Sequence, residues 1–288
     1  MKYPEGNGKK NLGGFFGKDN RSAVIMLNAA IVLIVVIIAL AVQLVRLNGQ
    51  GKQKEESIES KAAVTEVPEA TAAPTPTPQI ERIRKNLDKN KPMVALTFDD
   101  GPYDKVTDRL VKVLSKNDAR ATFFVVGNRV EKYADDLKYA YKHGNQIGTH
   151  TFSHSDLSKM KKSDIRKELD RSIKVVKKIT GQAPFMLRPP YGNVNDKMRR
   201  TVKMPMIYWS VDTEDWKSRN KKKILKQCKK ISDGDIVLMH DLYPTTADAV
   251  ESLVPALKKK GFQLVTVEEL FYYKGIDAQK GKVYFSGK

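Results

Sequence analysis

The sequence is short of cysteine. One residue, Cys228, in 288 leaves no partner for an internal bridge and excludes a disulfide-stapled fold. Histidine is scarce too, with four in the chain, so imidazoles that gather in one region carry information. Negative charge is in deficit: 33 Asp+Glu face 52 Lys+Arg, a formal net charge of +19. Residues 1–91 hold +5 of that excess and residues 92–288 hold +14, so the larger part is itself cationic rather than fused to a basic tail. Apolar residues are not scarce. At 41% they exclude a wholly disordered chain, and the length allows one or two domains.

Three zones follow one another. Ala23 to Val45 carries no charge, and only Asn28 and Gln43 are strongly polar. A bilayer core of ~30 Å needs about 20 apolar residues in a helix, so this run is expected to span. Five basic residues precede it against two acidic ones, which places the N-terminus in the cytoplasm and everything after Val45 outside. Ala39-Leu40-Ala41 resembles a signal cleavage site, but the run continues past it, so an uncleaved anchor is expected. Residues 46–91 alternate Pro68, Pro74, Pro76 and Pro78 with Thr and Ala between charged flanks, the composition of an extended spacer. Ile80–Asn90 has a weak helical pattern that fits a short stalk helix. The expectation is therefore a cytoplasmic tail over 1–22, a single membrane span over 23–45, a linker over 46–91 and a globular domain over 92–288.

The domain reads as strands alternating with helices. Strands are expected at Met93–Phe98, Ala121–Val126, Gln146–Gly148, Phe185–Leu187, Met206–Val211, Asp235–His240 and Phe262–Val267. Helices are expected at Lys105–Lys116, from an Asn128 cap to Lys142, at Asp164–Thr180 behind a Ser163 cap, and at Asn195–Thr201. Three more are expected at Lys221–Ile231, Thr246–Lys260 and Glu268–Tyr273. Seven alternations imply a parallel sheet with helices outside, one unit short of a TIM barrel.

Charged and imidazole groups cluster where these strands end. Strand one ends in Asp99-Asp100-Gly101-Pro102, and strand three in His150 with His154 four residues on. Strand four ends in Arg188-Pro189-Pro190-Tyr191, strand five precedes Asp212 and Asp215-Trp216, and strand six ends in Leu238-Met239-His240. Two imidazoles at i and i+4 can share a metal, although the pair alone is weak evidence. Two adjacent carboxylates repel unless a cation divides their roles, one as ligand and one as base. Two His and one carboxylate is the ligand set of hydrolytic zinc sites and equally of non-haem iron oxygenases. The remaining residues favour hydrolysis. His240 suits a general acid held by a nearby Asp, Arg188 can orient a carboxylate, and Trp216 and Tyr191 offer flat faces to a sugar or peptide. The blander readings are turn chemistry for Asp-Gly-Pro, solvated loop histidines and a core Trp. Each is reasonable singly, and jointly they are improbable.

At this point the residues resemble a known family, the NodB-homology polysaccharide deacetylases or carbohydrate esterase family 4. Its motifs appear in order as Thr97-Phe98-Asp99-Asp100-Gly101-Pro102, His150-Thr151-Phe152-Ser153-His154, Arg188-Pro189-Pro190-Tyr191, Asp212-Thr213-Glu214-Asp215-Trp216 and Leu238-Met239-His240. The resemblance implies an α/β fold, a distorted (β/α)7 barrel. It implies that Asp100, His150 and His154 bind a divalent metal, usually Zn2+, with Co2+ or others possible. It makes Asp99 the base that deprotonates the attacking water, His240 the acid, Arg188 the partner of Asp99 and Asp215 the partner of His240. By the same resemblance Tyr191 is expected to supply an oxyanion donor through its backbone N–H, and Trp216 and Leu238 to shape the acetyl pocket.

The implied activity is hydrolysis of N-acetyl groups on a cell-wall glycan, with N-acetylglucosamine of peptidoglycan as the expected substrate. Muramic acid residues, chitin oligomers, exopolysaccharide or acetyl-xylan keep the same chemistry. A non-catalytic glycan-binding module is the rival from another class, and it needs neither Asp99 nor His240. The acetylated polysaccharide and, through the N-terminal helix, the cell membrane are the expected partners. Nucleic acid is not expected for a domain outside the cell with no base-stacking motif. The basic helix Lys221–Ile231 reads as a solvated face, and Cys228 within it as a packing residue.

Overall fold

Strand β1, Met93–Asp99, is buried over all seven residues, as a central parallel strand covered on both faces must be. Its two faces go to different places. Val94, Leu96 and Phe98 pack outward in one apolar cluster, while Met93 and Ala95 belong to a second, inner one. Thr97 and Asp99 follow the inner face by the period of two. The computed structural model describes residues 82–288 of the chain. The expected tail, membrane span and linker up to residue 81 lie outside the described residues. Among the described residues, no helix is long and apolar enough to cross a membrane.

The other strands are β2 (Thr122–Val125), β3 (Gln146–Thr149), β4 (Met206–Ile207), β5 (Val211–Asp212), β6 (Asp235–His240), β7 (Gln263–Val265) and β8 (Val283–Tyr284). The main sheet runs β3-β2-β1-β6-β5, all parallel, and β7 pairs with the first half of β1. Parallel bridges Thr149↔Leu187 and Leu187↔Met206 carry the sheet from β3 to β4. A distorted barrel of short staves results. The expected fourth strand, Phe185–Leu187, is reduced to those bridges at Leu187. The expected fifth, Met206–Val211, is broken between β4 and β5. At the break, Arg188 donates to the carbonyl oxygens of Ile207 and Tyr208, so those groups serve the site instead of a ladder. β8 had no apolar period long enough to mark it; it pairs with β4.

The helices are α1 (Val106–Lys116), α2 (Gly127–Val130), α3 (Ala134–Lys142), α4 (Lys162–Thr180), α5 (Asp196–Thr201), α6 (Asp215–Ser218), α7 (Lys221–Gln227), α8 (Pro244–Lys259) and α9 (Val267–Tyr273). Several expected boundaries shift. Asn128 does not cap a long helix, because the chain breaks between α2 and α3, and Asn128 lies inside α2. Ser163 does not cap α4; Lys161 holds that position with an extended backbone. The basic helix stops at Gln227 and tightens into a 3-10 turn over Cys228–Lys230. Cys228 is buried, and burial pushes its thiol up to about 12, as befits a packing residue. Gly181 ends α4 with φ 78°, and the Thr266–Glu269 capping box opens α9.

Residues 82–91, expected as the end of a spacer, are part of the packed domain. Ile83 is buried and Leu87 packs on the inner cluster. The Arg84 guanidinium bonds the buried Glu269 through Nε at 2.9 Å and Nη2 at 3.1 Å, and its backbone N–H donates to the same carboxylate. No helix runs through 83–90. The spacer composition ends earlier than the boundary at residue 91, and Arg84 finds its partner 185 residues away.

Candidate active site

Strand order and side-chain alternation bring the polar strand ends together. β1 and β6 are neighbours in register, with Asp99 beside His240 and Thr97 beside Leu238. Ile236 lies in the inner cluster, so Leu238 and His240 share its face. The loops that follow the strands carry the rest. Asp100, Thr151, His154, Tyr191 and Glu214 all have left-handed backbones, with φ of 76°, 67°, 59°, 62° and 50°. Each such residue costs about 1–3 kcal/mol, and strain of this kind concentrates where geometry matters for function. Gly101 must be glycine here, since a Cβ would fall 1.9 Å from the Asp241 Oδ2.

Asp100, His150 and His154 place one ligand atom each within 4.8 Å of one another. The Asp100 Oδ1 lies 3.2 Å from the His154 Nε2 and 3.5 Å from the His150 Nε2. That oxygen is buried without a hydrogen-bond partner. His150 Nδ1 donates to the Arg188 carbonyl oxygen at 2.6 Å, which leaves its Nε2 as the lone-pair nitrogen facing Asp100. Burial works against the Asp100 carboxylate, but the three neighbouring imidazoles hold it at about 2. Burial lowers the His150 imidazole, keeping it neutral. An ionised carboxylate with an orphaned buried oxygen beside an imidazole nitrogen turned toward it is a donor set that fits a divalent metal.

Asp99 sits beside this triad and is buried. Its Oδ1 accepts from Arg188 Nη1 at 2.9 Å, and its Oδ2 lies 3.8 Å from the His150 Nε2. Arg188 is fully buried at 0% exposure. It donates to the Thr97 hydroxyl at 2.6 Å, to the Ile207 carbonyl at 3.0 Å and to the Tyr208 carbonyl at 2.8 Å, and its guanidinium lies over the Phe124 ring. This fork leaves Arg188 one orientation.

Across the cavity, His240 Nδ1 donates to the Asp215 Oδ1 at 2.8 Å. Asp215 is buried and accepts three further bonds, from Trp216 N, His240 N and the Thr246 hydroxyl. Burial opposes the imidazolium, yet the Asp215 carboxylate outweighs it and lifts His240 to about 9. A cavity of about 470 Å³ joins the two halves, lined among others by Asp99, His154, Tyr191, Trp216, Leu238 and His240. Tyr191 is 67% and Trp216 48% exposed, so both form rims rather than core. All ten residues singled out in the sequence meet at this one end of the barrel.

Sequence reasoning missed several contributors. Trp209 and Tyr243 line the cavity, and Tyr243 lies under the Arg219 guanidinium at 3.3 Å. Thr97 shares the inner face of β1 with Asp99, which period two alone would have revealed. Thr246, on α8, has no local signal for its bond to Asp215. Asp241 is buried, accepts from the Thr107 hydroxyl at 2.6 Å, and is pushed up to about 7 by burial. Asp212, which the sequence placed at a strand end without a role, lines the cavity and accepts from the Glu214 N–H, and burial raises its carboxyl.

Residues 86–206 match the polysaccharide deacetylase family. The chain is 41% identical over 187 residues to the peptidoglycan-N-acetylmuramic acid deacetylase PdaC of Bacillus subtilis, covering 65% of this chain and 40% of that protein. It is 39% identical over 201 residues to the peptidoglycan-N-acetylglucosamine deacetylase PgdA of Listeria monocytogenes, covering 68% and 42%. The chain therefore spans about two fifths of the length of these curated relatives. Among solved structures it is similar to a T48 deacetylase with substrate, with a TM-score of 0.66 and 39% identity over 69% of this chain and 99% of that one.

Proposed function

The chain belongs to the polysaccharide deacetylase family, and from that premise we propose that its domain hydrolyses N-acetyl groups of peptidoglycan, with N-acetylglucosamine as the expected residue. The observation that carries the reading is the division of labour across one cavity: Asp99, held by Arg188, faces His240, held by Asp215. Asp100, His150 and His154 would hold a divalent metal, Zn2+ in our reading, which when bound supplies Lewis-acid polarisation of the acetyl carbonyl and a more acidic water.

The remaining steps belong to the chain. Arg188 engages Oδ1 of Asp99 and leaves Oδ2 free to take a proton from water, the general-base role. The Asp215 bond fixes the proton on Nδ1 of His240 and keeps the ring cationic, so Nε2 can deliver a proton to the departing amine. The Tyr191 backbone N–H, set by φ 62°, is the donor we place at the developing oxyanion. Trp216, Leu238 and Trp209 wall the space around the acetyl group, and the exposed Tyr191 and Trp216 rings offer faces to the sugars.

The +14 charge of residues 92–288 suits a polyanionic envelope, and the apolar run at 23–45 supports a membrane anchor that holds the domain outside the cell. A second substrate reading, muramic acid, is favoured by the similarity to PdaC. Acetate release from purified peptidoglycan and from chitopentaose, after chelation and zinc return, tests the proposal. Zinc-restored release from peptidoglycan is expected, and Asp99→Asn should reduce it by about 10²–10⁴-fold while zinc still binds. Retained activity in that variant removes Asp99 from the base role.

A further inference from the structure

A second cavity of about 210 Å³ opens from the same metal centre, lined by Asp100, Val126, Asn128, Arg129, Ser153 and His154. It shares Asp100 and His154 with the main cavity. Strand order places the two apart: β2, which leads into Val126–Arg129, flanks β1 on one side, and β6, which carries His240, flanks it on the other. The two cavities therefore meet at the Asp100 and His154 side chains.

The arm holds the Asp100 carboxylate at its metal end and Arg129 at the other, and that cation is uncommitted. The Arg129 guanidinium makes no ion pair or hydrogen bond among the described residues; it rests 5.7 Å from the Tyr103 ring centroid. Lys132, in the turn that follows α2, lies over the Tyr133 ring, and Tyr133 packs against Tyr103. Three carboxylates on the surrounding elements are engaged elsewhere. Glu168 accepts from Phe152 N, Ser153 N and the Ser153 hydroxyl, Asp108 pairs with Lys112, and Glu131 pairs with Lys178. The volume equals about seven waters, enough for a small carboxylated group.

We propose that this arm is a specificity subsite for a carboxylate on the glycan, bound by Arg129 over the Tyr103 ring with Asn128 as a second donor. The inference rests on the deacetylase reading above and names the substrate feature that the site would select. A planar guanidinium matches a carboxylate in two-point geometry, which a lysine does not reproduce. Two sources carry that group in a cell wall: the lactyl ether of a muramic acid residue freed of peptide, and the carboxylates of stem peptides.

The experiment compares the wild-type chain with Arg129→Met and Arg129→Lys on four substrates. These are peptide-free glycan strands, the same strands with carboxyls converted to methyl amides, peptide-bearing strands, and chitopentaose. The readout is kcat/KM on each relative to chitopentaose, with isothermal titration of the peptide-free and amidated strands as a measure independent of turnover. Arg129→Met should lower the ratio for carboxylated strands about tenfold, Arg129→Lys should lower it less, and amidated strands should bring the wild type to the Arg129→Met level. Selective loss on peptide-free strands assigns the lactyl carboxylate, and loss confined to peptide-bearing strands assigns the peptide. Equal loss on all four substrates, or an unmoved ratio, overturns the subsite. Wild-type protein that releases no acetate from any substrate overturns the deacetylase reading instead. In that case, tighter binding of carboxylated than of amidated strands, lost in Arg129→Met, still upholds the subsite, and equal binding rejects it.

Discussion

Asp215→Asn probes the half of the site that works through charge. The Asp215 carboxylate accepts four bonds of 2.7–2.8 Å, two on each oxygen: Trp216 N and His240 Nδ1 on one, His240 N and the Thr246 hydroxyl on the other. An amide offers one accepting oxygen, so its NH2 must face two donors. The Thr246 hydroxyl can rotate and the His240 ring can change tautomer, but a backbone N–H cannot turn away. One of Trp216 N and His240 N is stranded in either orientation, at a cost of about 1–3 kcal/mol. The electrostatic loss is separate. His240 stands at about 9 against the ordinary histidine value of 6.5, and a difference of that size corresponds to about 3 kcal/mol of preference for the cation. Without the carboxylate, burial is opposed only by the charges of Asp99 and Asp100, and the ring should fall toward 6.5. Its protonated fraction at pH 7 then drops from about 99% toward about a quarter.

The assay is an NMR titration of the four histidine Cε1–H signals in zinc-free protein. One signal should titrate near 9 in the wild type and move below about 7 in the variant. The sign of the linkage gives a second check. A folded-state value raised above the unfolded one contributes stability that is complete below pH 6.5 and is lost as pH rises through about 9. The stability gap between wild type and variant should therefore be larger at pH 6 than at pH 10. A wild-type histidine that titrates near 6.5, or a variant that still holds it above 8, refutes the reasoning.

Other perturbations test other parts of the structure. Asp100→Ala removes the orphaned oxygen of the metal set, and zinc affinity measured by competition with a chromophoric chelator should fall at least about tenfold to a hundredfold. Arg84→Met leaves the buried Glu269 with Arg120 at 3.2 Å as its remaining cation, so unfolding should cost about 2–4 kcal/mol less and Tm should drop by roughly 5–15 °C. A Tm within a degree of wild type would place residues 82–91 outside the cooperative unit. Glu268 is pushed up to about 7, first by burial and then by Glu269 beside it, so it costs the folded state stability that grows from pH 4.5 and is complete above about pH 7. Glu268→Gln should be more stable than wild type by about 3 kcal/mol at pH 8, with the gap closing as pH falls to 4.5.

Much of this site was legible in the sequence because its signals are local. An apolar run that ends in two carboxylates marks a strand and its functional end. Imidazoles four apart mark a shared ligand set, and arginine before two prolines marks a strand end where the chain turns. Period two even assigns Thr97 to the face of Asp99. The seven-fold alternation made the α/β class readable in the same way.

What the sequence could not decide depends on closure of the barrel. Short apolar runs look alike whether they form a full strand or a pair of bridges, so the reduction of Phe185–Leu187 and the break after Ile207 were hidden. The break exists because Arg188, a residue of another stave, takes the Ile207 and Tyr208 carbonyls. The embrace of Glu269 by Arg84, the Thr246 bond to Asp215 and the arm beneath Arg129 likewise join residues that only the folded chain brings together. Residue types and their spacing determined which chemistry this protein can hold. The tertiary structure decided which groups are buried and which are left without partners, because desolvation and hydrogen-bond satisfaction belong to the folded surroundings and not to the residue.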